Sequence, residues 1–206
     1  YYNSSTKSNS ASIVVWREIS ANNNDELFVQ KVFSNGNLGW SESGIQISKS
    51  KGDIINYSIA SDNLENTFIC FIEKSLIVPS EYSIYLQKIS ADGKIITSDN
   101  LSSQSNGFSN IVNTEGNGIK VHSSNIAKNL TTIIPNDFGG AFVFWVENST
   151  GISKLLFKEI NFENNIKLNQ KPIVITETKN ILSNYKVLKI SNDKFYLIWQ
   201  TSGKVK

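Results

Sequence analysis

The 206-residue sequence predicts an all-β protein assembled from repeated four-stranded antiparallel sheets. Three observations carry that expectation. Asn and Ser make up about a quarter of the chain, and both divert backbone hydrogen bonds into turns. Val, Ile, Phe, Tyr and Trp supply most of the apolar content and fall in short runs between those turns. One such run, ending in an aromatic residue, recurs four times, and nowhere do apolar residues hold helical spacing over a long window.

The recurring strand reads Ser12 to Glu18, Phe68 to Glu73, Phe142 to Glu147 and Tyr196 to Gln200. Its aligned aromatics are Trp16, Phe71, Trp145 and Trp199, separated by about 55, 74 and 54 residues. A second strand follows the first three copies at Leu27 to Val32, Ile84 to Ile89 and Leu155 to Ile160. Each second strand runs into a polar turn: Ser34-Asn35-Gly36-Asn37, Ala91-Asp92-Gly93-Lys94 and Glu163-Asn164-Asn165. Asn-Gly and Asp-Gly are strong hairpin signals, and the expectation is a type I′ turn with both central residues at positive φ. A third strand recurs at Gly44 to Ser48, Asn100 to Ser102 and Pro172 to Thr176. A fourth, at Tyr57 to Ala60, Thr132 to Ile134 and Val187 to Ile190, precedes each later aromatic strand and ends in an acidic or amide turn. The polar stretch Tyr1 to Asn9 predicts no strand ahead of the first copy.

A lone four-stranded sheet has two faces to bury, and radial stacking on like neighbours buries both, which is the β-propeller design. The units are expected at 10–60, 61–134, 135–190 and, in part, 191–206, within one domain spanning 1–206. A β-sandwich is the alternative. The second unit carries an insertion near 103–128, with a possible extra strand at Gly118 to Val121. Three units and part of a fourth leave edges and faces open, so the expectation is a segment of a longer propeller, or one completed by another polypeptide. The chain begins at Tyr1 with no leader, as either a processed protein or a piece of a longer one would.

Charge and composition exclude several functions. The net charge is +2, Arg17 is the single arginine and lysines are scattered, a poor footprint for nucleic acid. No apolar run approaches the ~20 residues of a membrane-spanning helix. Cys70 is the single cysteine and His122 the single histidine, so neither a disulfide framework nor a Cys/His zinc site can form. Cys70 lies in an apolar run and reads as a small buried hydrophobe.

Convergent chemistry is hard to find along the chain. One arginine cannot build the multi-arginine carboxylate clamp of a sialidase. Glu18, Glu73 and Glu147 each follow the aligned aromatic by two residues, and a position repeated in every unit reads as structural rather than as a glycosidase carboxylate pair. Asp62, Asp137 and Asp193 recur at turns, where they read as caps of the turn backbone, and no calcium-loop spacing accompanies them. His122, with Ser123 and Ser124 beside it, lacks the elbow of a hydrolase nucleophile. Trp16, Trp145 and Trp199 lie in apolar strands and read as packing between sheets. Trp40, just after a turn, is the one candidate ligand contact. No catalytic residue, metal ligand or cofactor is assigned.

The pattern Val15-Trp16, Gln30-Lys31, Asn35-Gly36, Trp40 and Gly44 to Ser48, with Gly139-Gly140 and Trp145 in the third unit, resembles a repeat of large bacterial surface and secreted proteins. Such repeats are common in Bacteroidetes proteins exported by the type IX route and are understood as β-propeller blades. Phe71 departs from the tryptophan of that pattern, and the later units keep no counterpart of Trp40. The resemblance implies a fold and a compartment: extracellular or cell-surface, with the periplasm as the alternative. The functional expectation is a non-enzymatic module that binds a protein partner or serves a structural role. A carbohydrate-binding propeller and a subunit of a secretion or adhesion assembly are the alternatives.

Overall fold

The computed structural model describes residues 3–8, 11–21, 23–49, 52–78, 80–96, 118–162, 170–191 and 194–203. Among these residues it is all-β, with fifteen strands and no helix. The first sheet orders β1 (Asn3–Ser8), β2 (Ala11–Ile19), β3 (Asp25–Phe33) and β4 (Ile45–Gln46). The second orders β5 (Gly52–Ser61), β6 (Thr67–Ser75), β7 (Tyr82–Ile89) and β8 (Ile95–Ile96), and β9 (Ile119–Ser124) also pairs with β7. The third orders β10 (Ala127–Pro135), β11 (Ala141–Ser149), β12 (Ile152–Ile160) and β13 (Ile173–Thr178). In the fourth, β14 (Ile181–Lys189) pairs with β15 (Phe195–Ser202). All pairings are antiparallel, as short turns between consecutive strands require.

The strand frame differs from the expected units. The strand ahead of each aromatic strand opens its sheet: β5 pairs with β6, β10 with β11 and β14 with β15. The sheets therefore divide the chain near residues 50, 125 and 180 rather than at 60, 134 and 190. The first sheet also has its opening strand, β1, which the sequence reading missed. Its residues Asn-Ser-Ser-Thr-Lys-Ser carry no apolar alternation, and its pairing with β2 supplies what side chains do not announce. The expected third strand at Asn100 to Ser102 and the turn at Glu163 to Asn165 lie outside the described residues. So does most of the insertion, whose described end forms β9 against Tyr82 to Leu86 of β7.

The turn chemistry is a variant of the expected one. Gly36 and Gly93 have φ of 85° and 84°, but Asn35 and Asp92 do not share it. Phe33 N donates to Asn37 O and Ser90 N to Lys94 O, each closing a three-residue loop with glycine at its last position. A three-residue loop places one residue, not two, in the left-handed region, and glycine takes it at no steric cost.

Period-two alternation assigns each face. On β6, Ile69 and Phe71 pack against Ile13, Val15, Leu27 and Val29 of the first sheet. Phe68, Cys70 and Ile72 pack the other way, against Val143 and Trp145 of the third. On β11, Phe142, Phe144 and Val146 turn toward Leu182 and Tyr185 of the fourth sheet. A strand buried on both faces reads as a continuous apolar run, which is why β6 and β11 stand out in the sequence. Trp145, Phe68, Phe71 and Phe144 are among the largest fully buried side chains, and each such burial contributes about 1.5–3 kcal/mol. Trp199 departs from the expected packing role: it is 45% exposed.

The opening strands of neighbouring sheets also touch. Asn56 Oδ1 on β5 accepts from Thr131 N at 2.9 Å and Thr131 Oγ1 at 2.8 Å on β10. Tyr185 OH on β14 donates to Leu130 O at 2.5 Å. These contacts fall at register shifts, Ile54/Asn56 on β5 and Asn129/Thr132 on β10. A bulge leaves backbone groups off the ladder, and a side chain from the adjoining sheet takes them up.

Candidate functional site

A polar group is enclosed between the second and third sheets, at the end where β11 finishes and β10 begins. β11 contributes Trp145 and Glu147, which point to one face because they are two residues apart. Lys128 on β10 stands opposite Glu147 in the antiparallel register. β9 brings His122, Ser123 and Ser124 across from β7, and Glu81 comes from the turn between β6 and β7.

Glu147 Oε1 is the centre of this group. It lies 3.2 Å from His122 Nε2, 3.2 Å from Lys128 Nζ and 3.4 Å from Trp145 Nε1, which donates to it. The His122 ring stacks on the Trp145 indole with centroids 5.5 Å apart. Lys128 Nζ donates onward to Ser124 Oγ at 2.5 Å and Ile126 O at 3.1 Å. Ser123 Oγ donates to Glu81 Oε1 at 2.5 Å and lies 3.3 Å from Ser83 Oγ. Glu147 and Lys128 are both buried. Burial pushes the Glu147 carboxyl upward, but the His122 bond and the Lys128 charge outweigh it and hold it below the usual glutamate range. Burial is also the larger influence on Lys128 and lowers its ammonium despite Glu147. The result is a carboxylate fixed in its ionised form beside an imidazole, an ammonium and an indole, with a second carboxylate held through Ser123.

The sequence did not foresee this group. His122 falls within the insertion near 103–128, and nothing in its spacing shows that β9 returns to β7. The available signal was the Trp-x-Glu pair itself. It forms the same bond at the first copy, where Trp16 Nε1 donates to Glu18 Oε1 at 2.6 Å. Glu73, the second copy, is buried.

Other singled-out residues are placed as follows. Arg17 Nη1 donates to Ile54 O at 3.0 Å and pairs with Asp25 Oδ2 at 3.4 Å, tying the first sheet to β5. Cys70 is fully buried and its thiol is pushed up by burial, so it is no nucleophile at neutral pH. Trp40 is half-buried; its Nε1 donates to Ala91 O at 3.3 Å and its indole rests on Gly93. Asp62 caps its turn, accepting from Leu64 N and Asn66 N, both at 2.9 Å. In the third sheet that capping falls to Asn136, which accepts from Phe138 N and Gly140 N. Asp137 pairs instead with Lys189 Nζ at 2.8 Å. Asp193 lies outside the described residues. Among the described residues no three His, Cys, Asp or Glu side chains gather as a metal site, and no helix is long and apolar enough to cross a membrane.

No family model matches the chain, and no curated protein matches it in sequence. Among solved structures it is similar to the endo-arabinase of Bacteroides thetaiotaomicron, with a TM-score of 0.53 and 13% identity. The likeness covers 96% of this chain and 68% of that one, and at such identity it is a likeness of fold. It corrects the expectation of a non-enzymatic module. The solved structure that shares this fold is an enzyme, so the lack of a linear catalytic motif was no ground for excluding catalysis.

Proposed function

We propose that this chain forms part of a β-propeller that cleaves glycosidic bonds in a neutral polysaccharide of the arabinan type. The observation that carries the reading is the agreement of fold with an endo-arabinase over 96% of the chain. The propeller itself is supported by the repeated antiparallel sheets, of which the second and third each turn one face to the preceding sheet and one to the next. Glycoside cleavage uses two carboxyl groups about the scissile bond. Glu147 and Glu81, which reach one polar group from two sheets, are the pair assigned here. Glu147 supplies the carboxylate whose negative charge its surroundings maintain, suited to facing the positive charge that develops on the sugar.

A polysaccharide-cleaving protein meets its substrate outside the cytoplasm. The likeness of the repeats to those of secreted Bacteroidetes proteins supports a place at the cell surface or beyond it, reached by type IX export. The test is to incubate the purified chain with linear arabinan, xylan and galactan and measure new reducing ends. Release from arabinan is expected, with loss in Glu81→Gln while its circular dichroism and unfolding midpoint are unchanged. No release from any of the three substrates would overturn the reading.

A further inference from the structure

We propose that a cavity at the opposite end of the sheets from Glu147 binds neutral sugar units. It has a volume of about 550 Å³ and is lined by Ser61, Asn63, Leu64, Pro135, Asp137 and Lys189, among others. That volume falls inside the range of about 300–1,000 Å³ typical of small-molecule sites. The lining comes from the finishing ends of β5, β10 and β14 and the turns beyond them. Lys128 and Pro135 stand near opposite ends of β10, about 23 Å apart along an extended strand, so this cavity is separate from the Glu147 group.

Its charges are already matched. Lys189 Nζ lies 2.8 Å from Asp137 Oδ1 and donates to Pro135 O at 3.2 Å. The ammonium disfavours a metal cation at Asp137, and the carboxylate neutralises the one lysine that would recruit an anion. The Asp62 oxygens are engaged within their own turn by Leu64 N, Asn66 N and Asn66 Nδ2. What is left for a ligand is uncharged. Asn63 contributes an amide that both donates and accepts. Leu64, Ile134 and Pro135 supply apolar wall. Phe138 sits between two lining residues, Asp137 and Gly139, at the tip of the β10–β11 turn, and is 61% exposed. Uncharged donors and acceptors beside an apolar surface and an exposed ring match a sugar, which offers hydroxyls at its edge and C–H groups on its faces.

This inference concerns binding and stands apart from cleavage at Glu147. The experiment titrates the full chain calorimetrically with arabinotriose and xylotriose, and with trigalacturonate as the charged comparison. A neutral trisaccharide is expected to bind, and Asn63→Ala and Phe138→Ala to weaken it about tenfold. Both positions lie at a turn, so circular dichroism is expected to match wild type. Three results would each overturn the site: no binding of either neutral sugar at about 10 mM, unchanged affinity in both turn variants, or preference for trigalacturonate. Cleavage of arabinan with unchanged affinity in the turn variants would overturn this site alone. Binding lost in those variants without cleavage by wild type would overturn the cleavage reading alone.

Discussion

Trp145 Nε1 donates to Glu147 Oε1 across 3.4 Å, two residues along one face of β11, and Trp16 makes the same bond to Glu18 on β2. The pair is local, so the sequence contains it in both places. Its consequences differ because its surroundings differ. On β2 the pair has no described sheet on its outer side, and Glu18 is exposed. On β11 the second sheet closes over it, and the carboxylate becomes the acceptor for His122 and Lys128 as well.

That difference sets the first prediction. Glu147→Gln removes the charge opposite a buried ammonium, and breaking a buried pair from one side costs about 3–5 kcal/mol. Glu18→Gln, on the exposed counterpart, is expected to change stability by less than about 0.5 kcal/mol. Urea unfolding of the two variants checks this, and equal losses would show that enclosure by the second sheet does not matter.

The acid limb of stability follows from the same carboxylate. Glu147 is held below the ordinary glutamate value, near 4.3, so the unfolded state binds its proton first as pH falls. Its contribution is complete above that ordinary value and is lost as pH drops through the lower folded value. Midpoints measured between about pH 2 and 6 should fall with acid in wild type. Glu147→Gln should show a shallower dependence.

Asn56 is expected to behave as a strap between β5 and β10. Asn56→Ala leaves Thr131 N and Oγ1 without their acceptor, and the loss of a buried partner costs about 1–3 kcal/mol. Asn56→Asp keeps the oxygen and is expected to recover at least half of the loss. Chemical unfolding of both variants separates a missing acceptor from a missing side-chain volume.

Two glycines are predicted to differ for reasons of space. A Cβ at Gly140 would overlap the carbonyl oxygen of Ile160 on the neighbouring strand, and backbone cannot yield cheaply. Gly151 has φ of +79° but nothing within 4 Å of a Cβ. Gly151→Ala should therefore cost about 1 kcal/mol for the left-handed conformation, and Gly140→Ala distinctly more. Thermal unfolding of the two variants gives the order directly.

The strands were legible wherever both faces are buried. β6 and β11 read as unbroken apolar runs, and β3, β7 and β12 follow them through polar turns at regular distance. β1 was not legible, because a strand of Asn, Ser, Thr and Lys is defined by its ladder with β2 and not by its side chains. Asp137 was read as the counterpart of Asp62. The backbone bonds Asp62 N to Asn66 O and Asn136 N to Gly140 O show that Asn136 holds that place. One residue of offset in a turn is invisible to spacing and obvious to a hydrogen bond.

The sequence by itself determined the all-β class, the antiparallel hairpins and which residues share a face, because these follow from a two-residue period and from turn chemistry within a few positions. It also placed Glu147 two residues beyond Trp145. The tertiary structure decided that β9 crosses to β7 and lays His122 on Trp145, that Lys128 meets Glu147 away from solvent, and that the ends of three sheets leave a cavity between them. Those arrangements depend on residues between 19 and 128 positions apart meeting in space. No local pattern records such meetings, and the charge state of Glu147 is set only once they have occurred.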